Sequence, residues 1–345
     1  MSLVAVSKAS GSFIQGWLAG TYTDDQWSNE FGFMKDAGIQ KLIVQSTVDE
    51  SSQQTTPPSY SPTSMVSLYP SQIHGMTYRG NTPGALISPV ESILKHAQAN
   101  NVSVYLGLNF YGTAWFYNFN NRPFVTDTNW GALEAARGNT IADELSSLYR
   151  AKYPNAFAGW YWPWEIDNSA ALLLPSTQTA LAKMMNANFN HLATIGGGLP
   201  VIISPFFNPL LSTPAQGESF WKAMFAQLPG FGAKGIFAPQ DGIGAGDVTL
   251  SQIPAWFGAL AGAVASRPGL KFWANCETFQ HVGNANYSAP MSRVVQQFQA
   301  VGPSVSDIVT FAYSHYDSPQ QADPSLQAEW VQYYKTGQLP PQSEL

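Results

Sequence analysis

Eight short runs rich in β-branched and aromatic residues recur along the chain, each followed by a stretch of helical periodicity. They are residues 12–17 (SFIQGW), 41–47 (KLIVQST), 103–110 (SVYLGLNF), 157–167 (FAGWYWPWEID), 200–207 (PVIISPFF), 235–241 (GIFAPQD), 271–279 (KFWANCETF) and 307–317 (DIVTFAYSHYD). Helical stretches cover 24–37, 87–100, 129–152, 176–194, 215–228, 250–266, 290–300 and 324–335. In the first, Trp27, Phe31 and Met34 share one stripe; Pro89 stands near the start of the second and the pair Asn100, Asn101 at its end. Such alternation builds parallel βαβ units. No glycine-rich dinucleotide fingerprint follows the first strand, so 345 residues predict a closed (β/α)8 TIM barrel of the α/β class rather than an open sheet. The barrel should be a single domain over residues 11–338, with tails at 1–10 and 339–345.

Connections into strands are short turns, whereas those leaving strands two and three are long. Residues 50–88 are rich in Ser, Thr, Gln, Pro and Tyr, and read as irregular; residues 111–128 (YGTAWFYNFNNRPFVTDT) crowd rings and amides. Long loops in a compact domain are usually functional, and both fall on the face where barrels carry active sites.

Composition narrows the partners. Charged residues make up 11% of the chain, against about 25% in an average soluble protein. Sixteen scattered basic residues cannot form the stripe that nucleic acid or an anionic membrane needs. Aromatics reach 13%, with 11 Trp, so the surface is neutral-polar and aromatic, the kind that sugars favour. A carbohydrate substrate and a monomer are therefore expected. No run of 18 apolar residues suggests a membrane helix. The opening residues hold no signal-peptide core; the composition suits secretion with the signal lying outside this chain, and a cytoplasmic location is the alternative. Cys276 is the lone cysteine, so no internal disulfide forms, and it should be buried and inert. The five histidines show no HExxH or HxH spacing and no GxSxG elbow occurs, so neither a metal, a cofactor nor a serine nucleophile is expected.

Side chains at the C-terminal ends of barrel strands surround one pocket. Those ends supply Gln45 and Asp49, Asn109, then Tyr161, Trp164, Glu165 and Asp167, then Ser204 and Asn208, Gln240 and Asp241, Trp273, Asn275 and Glu277, and finally Tyr313, His315, Tyr316 and Asp317. Six of the 22 acids stand there. Glu165 and Glu277 form the sharpest pair, because each follows an apolar run and their strands face one another across a barrel. Burial raises a carboxyl pKa and suits it to proton donation. Two opposed carboxyls beside aromatic rings are what glycosidic cleavage uses. Strand parity adds Tyr161, Trp273 and Asn275 as substrate contacts and assigns Trp160 and Trp162 to the core. Asn109, Gln45, Asp167, Tyr313 and His315 are further candidate contacts. Asp241, in PQDGIGAGD, is equally a substrate contact or a turn residue; Asp317 reads as a turn residue.

FIQGW, LIVQSTVD, GWYWPWEIDN, APQDGIG and WANCETF together resemble a family of uncharacterised TIM-barrel domains grouped with the glycoside hydrolases. More remotely, the glutamates on strands four and seven are similar to the arrangement of clan A retaining glycosidases. That resemblance implies Glu165 as acid/base and Glu277 as nucleophile. The chain departs from the pattern at Trp164, where those enzymes usually carry Asn. The expectation is an endo-acting glycoside hydrolase of a polysaccharide or oligosaccharide. A non-catalytic carbohydrate-binding barrel is the alternative, followed by a barrel enzyme for a phosphorylated metabolite, with its anion near residues 241–246.

Overall fold

Parallel strands close into a ring: β1 (Gly11–Ile14), β2 (Lys41–Val44), β3 (Ser103–Gly107), β4 (Phe157–Trp162), β5 (Val201–Ile203), β6 (Gly235–Phe237), β7 (Lys271–Glu277) and β8 (Asp307–Phe311). Each pairs with its predecessor in the chain, and β8 closes on β1. The computed structural model describes residues 7–51, 62–116, 122–169, 172–232 and 234–341. The expected (β/α)8 barrel is what the chain forms.

Parity decides which side chains fill the ring. Ile43, Tyr105 and Tyr161 point inward with Phe13, Ile202, Ile236, Trp273 and Val309. Their neighbours Leu42, Val44, Val104, Leu106, Trp160 and Trp162 point outward into a continuous core beneath the helices. Truncating a buried Trp of this kind costs about 3–5 kcal/mol. Gly159 occupies an inward position where a Cβ would sit 2.6 Å from the Tyr105 ring and 2.7 Å from the Pro200 carbonyl, so a side chain there would split β3 from β4.

The covering helices are Asp24–Asp36, Pro89–Ala99, Thr128–Leu145, Pro175–Thr194, Pro214–Gln227, Ile253–Ala265, Met291–Val301 and Pro324–Thr336. Proline stands in the first turn of five of them, at Pro89, Pro175, Pro214, Pro254 and Pro324, where its missing N–H has no partner to lose. Thr23 and Thr213 close capping boxes with Gln26 and Gln216. No described helix is long and apolar enough to cross a membrane.

Three segments depart from expectation. Residues 50–88 are not simply irregular: Val48–Ser51, Ser64–Ser67 and Thr77–Tyr78 form a four-stranded side sheet with Asn109–Phe110. A buried network fastens this sheet to the helix Thr128–Leu145. Arg137 ion-pairs with both Glu50 and Glu134, and the Asn109 amide donates to both carboxylates at 2.8 and 2.9 Å. The run 307–317 is not one strand, since β8 stops at Phe311 and Tyr313–Tyr316 is a helical turn. The helix at 129–152 gives way to a π-turn at Ser146–Arg150.

Candidate active site

Glu277 is the last residue of β7, and its backbone is held on both sides. Its N–H donates to Asp241 Oδ1 at 3.2 Å, and its carbonyl accepts from Gln297 Nε2 at 3.0 Å and from the Arg293 guanidinium at 3.1 Å. The carboxyl group accepts the Ala245 N–H at 2.7 Å through Oε2. That contact needs glycine next door: a Cβ on Gly244 would lie 2.8 Å from Glu277 Cβ and 2.5 Å from the Phe279 carbonyl. Burial pushes the Glu277 carboxyl up, and the charges of Asp241 and Glu165 push it further.

Glu165 lies beyond the end of β4. Pro163 cannot donate to a ladder, so strand pairing ends at Trp162. Trp164 then anchors the chain among Phe110, Trp115 and Trp130, and the Trp115 indole N–H donates to the Glu165 carbonyl at 2.6 Å. The unusual tryptophan before Glu165 is thus a packing anchor. Burial raises the Glu165 carboxyl to about 7, against the opposing pull of the Gln240 amide and the Arg122 charge.

Both carboxyls open on one cleft of about 370 Å³ at the C-terminal mouth. Gln15, Gly16, Gln45, Ser46 and Asp49 line one side, and Trp17, Phe110, Phe116, Phe279, Phe311 and Gln240 complete it. The Ser46 hydroxyl donates to Asp49. No Lys or Arg is among these lining residues. Trp17 is 55% exposed, yet its indole is steadied by the Gln15 amide at 3.1 Å and by the edge of His315 at 5.2 Å. His315 stands just behind this wall and accepts the Gln15 N–H on Nε2 at 3.0 Å; burial lowers its pKa to about 4, so it stays neutral.

Of the strand-end residues read from sequence, the cleft brings together Glu165, Glu277, Gln45, Asp49 and Gln240. Five others are turned elsewhere. Asn109 points away into the Glu50–Glu134 network. Asp167 is buried against Arg122 and caps the Ser169 N–H. Tyr313, carried outward by the helical turn after β8, bonds Gln327 and packs on Trp330. Trp273 sits at the far end of the barrel, level with Asp307 and 5.6 Å under the Lys41 ammonium. Asp241 is fully buried behind β7. Tyr161 and Asn275 do point into the barrel, but below the cleft floor; Tyr161 meets Phe13 edge-on, and Asn275 donates to Ser204 Oγ at 3.0 Å. Asp317 does stand in a turn, directly after Tyr313–Tyr316, but it is buried there, and burial raises its carboxyl to about 8. In the 241–246 loop, the Ala245 N–H is committed to Glu277.

The sequence reading missed Trp17, Phe279 and Phe311 as lining residues. Each lies within two residues of the end of a barrel strand or of a strand run, a signal that was present but that parity alone could not rank.

A closed parallel barrel with paired acids at its C-terminal mouth defines the class. Within it, the chain belongs to the family described as Domain of unknown function (DUF4434), which matches residues 9–323. No curated protein matches the sequence. Among solved structures, a "putative alpha-L-fucosidase" from Bacteroides thetaiotaomicron VPI-5482 is similar with a TM-score of 0.73 and 19% identity, over 96% of each chain. A GH18 chitinase from Pseudoalteromonas aurantia is similar at TM-score 0.53 and 11% identity, over 96% of this chain and 100% of that one. An endo-1,4-β-mannanase from Eisenia fetida follows at 0.51 and 12%, over 96% and 91%. These similarities establish the shared fold.

Proposed function

We propose that this protein is a glycoside hydrolase working by a two-carboxylate mechanism, with Glu165 as acid/base and Glu277 as nucleophile. The carrying observation is that these two acids, both raised by burial, open on a single aromatic-lined cleft with no Lys or Arg among its described lining residues. The glycosidase names of the similar structures support the reading. A glycosidic oxygen leaves only when protonated, while the opposite face of the ring must meet an attacking carboxylate or an activated water. Both carboxyls are raised, Glu165 to about 7 and Glu277 to about 8, so each can hold a proton near neutral pH, and the acid/base role of Glu165 rests on its place after the fourth strand. Glu277, gripped at Oε2 by the Ala245 N–H, lines the same cleft.

Neutral glycans suit this lining: amides and Asp49 bond hydroxyls, and rings stack on sugar faces, whereas uronates and sulfated sugars would find no partner charge. An open cleft rimmed by Trp17 fits a chain crossing it, which supports endo-action. Reducing ends released from a panel of neutral polysaccharides, with the Glu165→Gln/Glu277→Gln double variant as control, test the reading. Release by wild type alone supports it. Binding with no hydrolysis, unchanged in the double variant, replaces it with a carbohydrate-binding barrel. The anomer of the first product, read by NMR, separates retention (carboxyls about 5–5.5 Å apart) from inversion (about 6.5–9.5 Å).

A further inference from the structure

Behind β7 lies an acid that the cleft does not use. Asp241 is 0% exposed, so it cannot touch a substrate. Its carboxyl group is surrounded by donors: Gln297 Nε2 at 2.5 Å, the N–H groups of Ile243 and Glu277 at 3.2 Å each, and the Cys276 thiol. Burial raises the Asp241 carboxyl, but an accept-only partner fits that ring of donors, which is the ionised carboxylate. Gln297 fixes the reading further. Its amide nitrogen bridges Asp241 and the Glu277 carbonyl, and turning the amide over would set Oε1 against two oxygens.

We propose that Asp241 is a positioning residue for Glu277: it locks the end of β7 from behind the cleft and sets a fixed buried negative charge against it. The charged and titratable groups facing this pair come from four elements. Cys276 adjoins it on β7, Arg293 stands on the helix Met291–Val301, Asp317 follows β8 and faces Arg293, and Glu165 faces Glu277 across the cleft. Arg293 spends its guanidinium on the carbonyls of Glu277 and Phe279, at 3.1 and 2.5 Å, and forms no described ion pair with Asp241. The Asp241 charge, tempered by the nearby Arg293 guanidinium, still acts on Glu277 in the direction that burial already pushes it.

The consequence for the two-carboxylate reaction, on whose assignment this part rests, concerns the acid limb. Glu277 attacks only when ionised, so a neighbouring buried anion moves the onset of activity toward neutral pH. Asp241 trades the breadth of that profile for a more basic nucleophile held in one position.

Carboxyl ¹³C NMR of the full chain, labelled at Asp and Glu, tests the charge without any substrate. It therefore fails or succeeds independently of the glycosidase reading. In wild type, the Asp241 signal should be that of an ionised acid at a pH where Glu277 is still protonated; a protonated Asp241 overturns the proposal. In Asp241→Asn, the Glu277 midpoint should fall by about one pH unit, a tenfold loss of proton affinity. Gln297→Ala loosens the same contacts but keeps the charge, so it should lower the melting temperature without lowering the Glu277 midpoint. Equal midpoints in wild type and Asp241→Asn, or an equal fall in both variants, would show that no fixed charge is at work. With an active substrate in hand, the acid limb of kcat/KM should move down in Asp241→Asn and stay in Gln297→Ala.

Discussion

Two buried acid pairs sit on opposite sides of this barrel, built from the same residue types and put to different ends. Behind the side sheet, Glu50 and Glu134 share one arginine and one asparagine amide, and neither lines the cleft. Beneath the mouth, Glu277 and Asp241 meet donors that are mostly neutral, no described ion pair joins either to a cation, and one of the two opens on the cleft. Taking two charges out of water costs several kcal/mol per ion unless a counter-charge repays it. Where an arginine repays part of it, the acids fasten one element to another, even though burial and the Glu50 charge still raise Glu134 to about 8. Where that repayment is withheld on one side, a carboxyl is left whose proton is easily moved.

The sharpest way to break this contrast is to neutralise each cleft acid. Glu277→Gln and Glu165→Gln should each cut kcat on the true glycan by about 10²–10⁴-fold, with thermal melting no lower than wild type. Loss of melting temperature instead of rate would place them among the fasteners. Arg137→Met is the mirror experiment. It leaves Glu50 and Glu134 buried without a counter-charge and should cost about 3–5 kcal/mol in urea unfolding, while kcat per folded molecule holds.

A smaller effect lies in the pH dependence of stability. Asp317 titrates near 8 in the fold but near 4 in the unfolded chain, so between these values the folded state binds the extra proton. Stability from this group is full below about 4 and falls as pH rises toward 8. Asp317→Asn should flatten that decline, measured as melting temperature from pH 5 to 9; an unchanged slope would show the acid to be solvated. Smallest of all, Trp17→Ala should raise KM about tenfold or less, the scale of one aromatic contact, and leave kcat nearly untouched.

Much of the barrel was legible because strand parity and helix period are local properties. Tyr161 inward with Trp160 and Trp162 outward follows from alternation alone. The pair Glu165 and Glu277 was legible too, since strand ends converge on one mouth. What local pattern could not carry was where a strand stops. The run through Tyr313 looks continuous, yet a helical turn after Phe311 swings that ring out of the barrel. Trp273 has the right parity but the wrong height, near the start of a seven-residue strand. Asn109 and Asp167 were drawn away by partners distant in sequence, Glu134 and Arg122, which no spacing rule announces.

The single thiol offers a use beyond its packing. Cys276 is buried one residue before Glu277, and burial together with the Asp241 carboxylate pushes its pKa up. A thiol-alkylating reagent needs an exposed thiolate, so it should spare the folded chain and mark only molecules in which β7 has come out of the ring. The labelling rate, followed by mass, would then serve as a clock for the opening of the strand that carries Glu277. With no second cysteine in the sequence, no other site would blur the reading.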